Sequence, residues 1–307
     1  MSGIVNTGSF PKRLWPGVLA WFGDEYNRYD MEYKEIFETK KSDKAYEDLT
    51  GLVGMGLAVI KDQGGSVEYA APKQGYTSRF VNINYGKGFI ITQEMQDDDQ
   101  YAASIAEIGA KQLAFSMIQT KETIGANVLN NGFTGGAFVG GDGVALLSTA
   151  HPLMGGSGAT SSNKLSVDAD FSEAALEQAL IDIAGIVDDA NMKLKLMPEK
   201  LIIPRQVEFD ARRVLMSDYR VATADNDINA SKGFLPGGYC VNHFLSDSDA
   251  WFIRTNCPVS MLHLERSPFA LTSDDDFDTS NAKFKVMERY SFGWADWRGI
   301  FGSSGAG

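Results

Sequence analysis

The residues that carry most enzyme and metal chemistry are scarce in this chain. Its 307 residues include two cysteines, Cys240 and Cys257, and three histidines, His151, His243 and His263. A zinc site needs three or four converging nitrogen or sulfur ligands, and no Cys-x-x-Cys pair is present. Two buried free thiols in a reducing compartment are the expected outcome. No apolar run approaches the length of a membrane span, so no membrane partner is expected. Met1 to Gly8 has neither a basic start nor an apolar stretch, so no secretory signal is expected, and Met1 itself suggests an uncut start. Basic residues are outnumbered: 28 Lys and Arg against 40 Asp and Glu leave a net charge of −12. Such a chain repels phosphate, which argues against a broad nucleic-acid-binding face. Arg205, Arg212 and Arg213 are the candidates for a local basic patch, and they read as a solvated helix face.

The remaining candidates for chemistry each have a plainer reading. The glycines form no phosphate loop, and Lys87 sits between two of them with no helix starting there. Cys240 and His243 are three apart, which places them on opposite faces of an extended strand. A reactive thiolate would also need a neighbouring base or cation. Asp97-Asp98-Asp99 and Asp274-Asp275-Asp276 are the densest acidic clusters. Consecutive residues fan out, so neither cluster can face one cation or form a glycosidase pair. They read as helix-capping and turn residues. His151, just before Pro152, reads as a turn histidine. No catalytic residue, cofactor or metal ion is expected.

What is present is a sequence of contrasting segments. Residues 1–23 carry Pro11, Pro16 and four glycines and read as irregular. A helix is expected from Asp24 to about Phe37, with Tyr26, Tyr29, Tyr33, Ile36 and Phe37 forming an aromatic stripe. The charge run from Lys40 to Asp48 reads as a boundary. Asp62-Gln63-Gly64-Gly65 is a turn signal, with strands expected at Ser66–Ala70, Thr77–Tyr85 and Phe89–Thr92, and a turn at Gly86-Lys87-Gly88. This ribbon has little apolar mass of its own. Isolated ribbons are marginal in water, so it is expected to lie on a partner.

Helical pattern then runs from Asp97 to about Asn130, roughly 50 Å at 1.5 Å per residue. A Gly, Ser and Thr-rich stretch over 132–164 precedes a helix capped by Asp170 or Ser172 and ending near Asp189. Leu201-Ile202-Ile203 reads as a short buried strand stopped by Pro204, and Gln206–Met216 as a third helix. Tyr219 to Gly238 reads as loop. Tyr239–Leu245 and Ala250–Ile253 are expected to pair as a hairpin. Lys283 to Tyr290 alternates as a strand with Phe284, Val286 and Tyr290 on one face.

This order of elements resembles that of the major capsid proteins of tailed bacteriophages, the Hong Kong 97-type fold, and the Mu-like major head subunit group in particular. Gly88-Phe89-Ile90-Ile91-Thr92-Gln93-Glu94-Met95 before Asp97-Asp98-Asp99 resembles that family's passage from E-loop into spine helix. Asp142-Gly143-Val144-Ala145-Leu146-Leu147-Ser148-Thr149-Ala150-His151-Pro152 resembles the entry to its A-domain, and Leu201-Ile202-Ile203-Pro204 the A-domain strand. Gly293-Trp294-Ala295-Asp296-Trp297-Arg298-Gly299 resembles its C-terminal end.

The resemblance implies an α+β fold divided into an N-arm (1–48), an E-loop with flanking strands (49–96) and a P-domain spine helix (97–134). An A-domain (135–262) and C-terminal P-domain strands (263–307) follow. It implies a structural subunit, not an enzyme, forming hexamers and pentamers of an icosahedral head that is assembled in the host bacterial cytoplasm. The head would enclose DNA without sequence-specific binding, with scaffolding, portal and decoration proteins as candidate further partners. The residues expected at contacts between copies are Tyr26, Tyr29, Tyr33, Phe37, Gly64, Gly65, Tyr76 and Arg79. Some members cross-link through a Lys, an Asn and a catalytic Glu; no motif here places that trio. The competing readings are an encapsulin-type cage of the same fold and a soluble α/β enzyme with residues 51–95 as a lid.

Overall fold

The computed structural model describes residues 15–97, 102–155, 158–219, 227–276, 279 and 281–306. In chain order the elements begin with α1 (Trp15–Tyr26), α2 (Tyr33–Ile36), β1 (Glu38–Lys41), β2 (Tyr46–Val53), β3 (Lys73–Val81) and β4 (Ile83–Ile91). Next come α3 (Gln93–Asp97), α4 (Ala102–Asn130), β5 (His151–Pro152), β6 (Thr160–Ser161) and α5 (Glu173–Gly185). Then follow β7 (Pro198–Ile203), α6 (Glu208–Met216), β8 (Tyr239–Val241), β9 (Trp251–Thr255), β10 (Met261–Asp275), β11 (Ala282–Trp294) and β12 (Ile300–Ser303).

Two four-stranded sheets organise the chain. The first has the order β1-β10-β11-β4 and the second β12-β9-β7-β8. β1–β10 and β7–β8 pair in parallel, and the other neighbours are antiparallel. β2 and β3 form a separate two-stranded ribbon.

The long helix is the post against which the first sheet and α1 pack. At 29 residues α4 is about 44 Å long. Ala106, Ala110 and Ala114 recur every four residues and are fully buried. Their small side chains let neighbours approach closely. Val18, Phe22 and Tyr26 of α1 fill that side together with Ile91, Phe284 and Val286 of the sheet. Burial of a side chain such as Phe22 contributes about 1.5–3 kcal/mol. A separate, larger core surrounds the second sheet, joining Leu176 and Ile183 of α5 to Leu201, Ile202, Ile203, Phe252 and Ile253.

Several expectations from the sequence are corrected. Residues 15–23 are helical, because Pro16 falls in the first turn, where a missing N–H leaves no bond unmade. The helix expected over 24–37 is broken: Asn27 donates from both its backbone N and its Nδ2 to Gly23 O and closes α1. The charge run from Lys40 to Asp48 spans the end of β1 and the start of β2, whose charged side chains are mostly exposed. Ser66–Ala70 is not a strand, since β2 and β3 stop pairing at Val53 and Lys73. Gly86 and Gly88 do not turn the chain but sit inside β4. A Cβ on Gly88 would lie 2.5 Å from Phe284 O, so glycine here permits close strand approach.

β8 and β9 are not a hairpin, because β7 lies between them. Leu201, Ile202 and Ile203 are wholly buried, and a strand apolar on both faces takes a central place in its sheet. α5 starts where expected, with Ala175 N donating to Ser172 Oγ at 3.2 Å. It stops at Gly185, four residues early, because Ile186 is extended. Asp98, Asp99, residues 1–14 and residues 220–226 lie outside the described residues. Among the described residues no helix is long and apolar enough to cross a membrane.

Candidate assembly surface

β2 and β3 leave the body as a ribbon whose distal end is the loop 54–72. The ribbon is held by polar pairs. Arg79 Nε and Nη2 donate to the two Asp48 oxygens at 2.7 and 2.8 Å, and its guanidinium lies 4.4 Å from the Tyr46 ring centre. The Arg79 cation holds the Asp48 carboxyl below the usual carboxylate range. Thr50 and Thr77 share a cross-strand hydrogen bond at 3.0 Å. Beyond it the end of β2 carries Leu52 and the loop carries Met55, Leu57, Val59, Ile60, Val67 and Tyr69, all exposed. Ile60 is 95% and Tyr69 93% exposed. The two legs enclose a hollow of about 260 Å³ between Met55–Lys61 and Ser66–Ala70. Gly64 (φ +85°) and Gly65, whose N donates to Asp62 O, form the turn at the tip. A soluble chain rarely spreads so many large apolar side chains on one loop unless something covers them.

The arm aromatics have different surroundings. Tyr26 is buried against Phe22 and Phe269, with ring centres 5.7 and 4.7 Å away. Tyr33 and Phe37 are buried on Phe292, and Tyr29 alone is exposed, its ring 6.2 Å from Phe115. Thus much of the stripe finds its partner within the chain. Under Tyr26 lies a buried ion pair: Lys121 Nζ is 2.6 Å from Glu288 Oε2, and Tyr26 OH donates to Glu288 Oε1 at 3.0 Å. Burial first, then the Glu288 charge, pushes the Tyr26 phenol well above its ordinary range.

The base of the ribbon rests on a buried polar hub that the sequence reading missed. His151 is wholly buried and stacks on Trp297 at 4.2 Å, with its ring nearly parallel to the indole. Its Nδ1 is 2.6 Å from Asp142 Oδ2 and its Nε2 3.0 Å from Asn163 Oδ1. Asn163 Nδ2 donates to Leu146 O, Trp297 O and Ile300 O, which fixes the amide orientation. Arg298 extends the hub to Asp189, Asp296 and Val187 O. Gly141 touches β3 so closely that a Cβ there would lie 2.5 Å from Thr77 O. Tyr76, half-buried beside this hub, has its phenol raised by burial and by Asp142 and Asp189. His151 is therefore a structural centre, not a turn histidine.

The other chemistry-bearing groups are also committed to structure. Burial pushes both thiols up to about 12, far from the thiolate that reacts at neutral pH. His243 Nδ1 faces Glu32 Oε1 at 2.6 Å. Burial, with Lys121 and Lys34 adding, lowers His263 to about 3 and keeps it neutral. Among the described residues no group of three or more His, Cys, Asp and Glu could hold a metal ion. The exposed loop was recognisable in the sequence through its glycine turn and through the small apolar mass of the expected ribbon. Val67 and Tyr69 alternate as a strand would, so the pattern there pointed to a strand and not to a loop.

Comparison with known proteins places this geometry. The family model described as phage capsid protein matches residues 80–302. The capsid of a native GTA particle superposes with a TM-score of 0.56 at 12% identity, covering 98% of this chain and 91% of that one. A structure from Microbacterium phage Oxtober96 gives 0.54 at 10% identity, covering 90% and 91%. The virus-like particle from Pyrococcus furiosus gives 0.50 at 14% identity, covering 94% and 98%. No curated protein matches the chain in sequence. The mixed helix and sheet architecture is the Hong Kong 97-type fold shared by shell proteins. With more than two thirds of its length matched by the family model, the chain belongs to the phage capsid protein family and is a shell-forming capsid subunit.

Proposed function

We propose that the subunit builds an icosahedral phage head as hexamers and pentamers, with residues 135–262 packing around each axis as the A-domain. Residues 49–96 supply the E-loop, whose tip lies over a neighbouring subunit. Residues 1–48 serve as an arm that reaches beneath another. Residues 97–134 and 263–307 form the P-domain body, the long helix and the returning strands. The contacts between copies are Tyr29, Gly64, Gly65, Tyr76 and Arg79 together with the apolar loop side chains, while Tyr26, Tyr33 and Phe37 brace the arm. The net charge of −12 suits a container whose wall must not hold DNA. The head encloses its genome without sequence-specific contacts and assembles in the host cytoplasm with scaffolding, portal and decoration proteins. Its work is structural, not catalytic.

The observation that carries this reading is the apolar loop on a ribbon with no core of its own. Covering Leu57, Ile60 and Tyr69 would contribute about 1.5–3 kcal/mol per side chain to assembly. The triple substitution Leu57→Ser, Ile60→Ser, Tyr69→Ser removes that gain while touching no intramolecular core. The expected result is a folded subunit, with unchanged circular dichroism and unfolding midpoint, that forms no closed shells by electron microscopy. Shells of normal size and yield from this variant would overturn the loop assignment. Nucleic acid or cargo protein inside wild-type particles separates a genome container from an enzyme cage.

A further inference from the structure

The arm crosses from one core to the other within a few residues. Val18, Phe22 and Tyr26 belong to the core around α4, whereas Tyr33, Ile36 and Phe37 belong to the core around the second sheet. Met31, between them, packs against both. The segment after it is tied to each side. Toward the second sheet, His243 N donates to Glu32 Oε2 at 2.8 Å and His243 Nδ1 sits 2.6 Å from Glu32 Oε1. Lys200 pairs with Glu35, and Arg254 Nη1 donates to Glu35 O at 3.0 Å. Toward α4, Tyr33 N donates to Glu122 Oε2 at 3.0 Å, and the Glu32 backbone N–H also faces that carboxyl.

That last acceptor is unusual. Glu122 is 3% exposed, and its Oε1 is buried without a hydrogen-bond partner. A carboxylate in that setting lacks the solvation its charge requires, whereas a carboxylic acid does not. The groups beside it are Lys121 on its own helix and Glu32 and Tyr33 on the arm; Tyr33 in turn faces His263 and Glu265 on β10 and Glu288 and Tyr290 on β11, with Lys34 near His263. Lys121 is already paired with Glu288, so it does not neutralise Glu122.

We propose that residues 31–37 are a clasp holding the two sheets at one mutual setting, and that the Glu122 carboxyl is its proton-operated catch. When the clasp is closed the acid is buried and accepts the Tyr33 amide. When it opens, water reaches the carboxyl, which then ionises freely. Burial, with the Glu32 charge adding, raises the closed-state value from 4.5 to about 7 against the Tyr33 and Glu32 N–H groups and Lys121. The closed state therefore binds the proton more tightly than the open one. Its advantage is complete below the open-state value and is lost as pH rises through about 7. Between pH 6 and pH 8 the ratio of closed to open clasp falls about tenfold.

The clasp is internal to one chain, so its test does not depend on shell closure. Amide hydrogen exchange is followed in the full chain at pH 6, 7 and 8, corrected for the intrinsic rate. Protection of the Tyr33 and Phe37 amides is expected to fall about tenfold across that range. In Glu122→Gln it is expected to stay constant within about twofold, because the neutral amide keeps the acceptor. Flat protection in the wild type, or the wild-type decline persisting in Glu122→Gln, overturns the catch. If Glu122→Gln does not fold, Glu32→Ala removes both acceptors of the His243 tie at a partly exposed position. It is expected to weaken protection of residues 33–37 at every pH while α4 stays protected; unchanged protection there overturns the clasp.

Discussion

Replacing Asn163 by alanine should be the most damaging single change at the base of the ribbon. The residue is wholly buried, and its Nδ2 donates to Leu146 O at 2.7 Å and to Trp297 O and Ile300 O at 3.1 Å each. Its Oδ1 accepts from Ser148 N at 2.9 Å and faces His151 Nε2 at 3.0 Å. Alanine leaves all five groups without that partner in the interior. Leaving a buried polar group unmade costs about 1–3 kcal/mol, and groups sharing one partner do not add in full. Relaxation and an entering water recover part of the loss, so the expected destabilisation is about 3–5 kcal/mol. Urea unfolding of the unassembled chain measures it, with an unchanged slope showing that the same surface is exposed. Asn163→Asp keeps the size but replaces the donor with an acceptor facing three carbonyls, and should lose a comparable amount. A loss below about 1 kcal/mol in both variants would refute the hub.

Lys121→Met strands the Glu288 carboxylate in the interior, and the expected loss is about 3–5 kcal/mol. Adding Glu288→Leu should recover most of it in the same unfolding assay; a double variant as unstable as the single would show that the pair is not coupled. Gly88→Ala places a Cβ 2.5 Å from Phe284 O and should separate β4 from β11, at about 1–3 kcal/mol. Amide exchange along Ile83–Ile91 reads that separation, and unchanged protection would contradict it.

The elements legible in the sequence were those whose pattern answers to one neighbour. α5 and the alternating β11 each show a regular stripe or alternation, and the structure places them, and the long α4, close to where the sequence did. Ser172 capped its helix as its side chain requires. Pairing partners were less legible, because they depend on which edge remains free. Leu201–Ile203 declared itself buried, but nothing local said that β8 and β9 would lie on either side of it. Gly86 and Gly88 had the composition of a turn, and only β11 on the far side shows that they serve close approach. Asn27 was the hidden reason for the broken arm helix, a side chain whose role depends on reaching Gly23 O.

At the candidate site, Gly64 and Gly65 marked the loop tip, while Val67 and Tyr69 had the alternation of a strand, which hid their place on an exposed loop. The hub was illegible for a related reason. Asp142, His151 and Asn163 are only 9 and 12 residues apart but lie on an irregular stretch with no periodicity to bring them together, and Trp297 joins them from 134 residues beyond Asn163.

The most direct test of the central claim is an electron cryomicroscopy reconstruction of the heaviest fraction obtained from the full chain. The account predicts closed shells in which Leu57, Ile60 and Tyr69 of each subunit are covered by an adjacent copy. A closed shell with loop 54–72 standing free in solvent would contradict the assembly role given to it. A chain that forms only a small fixed oligomer, even when co-expressed with the scaffolding protein proposed for it, would contradict the shell itself.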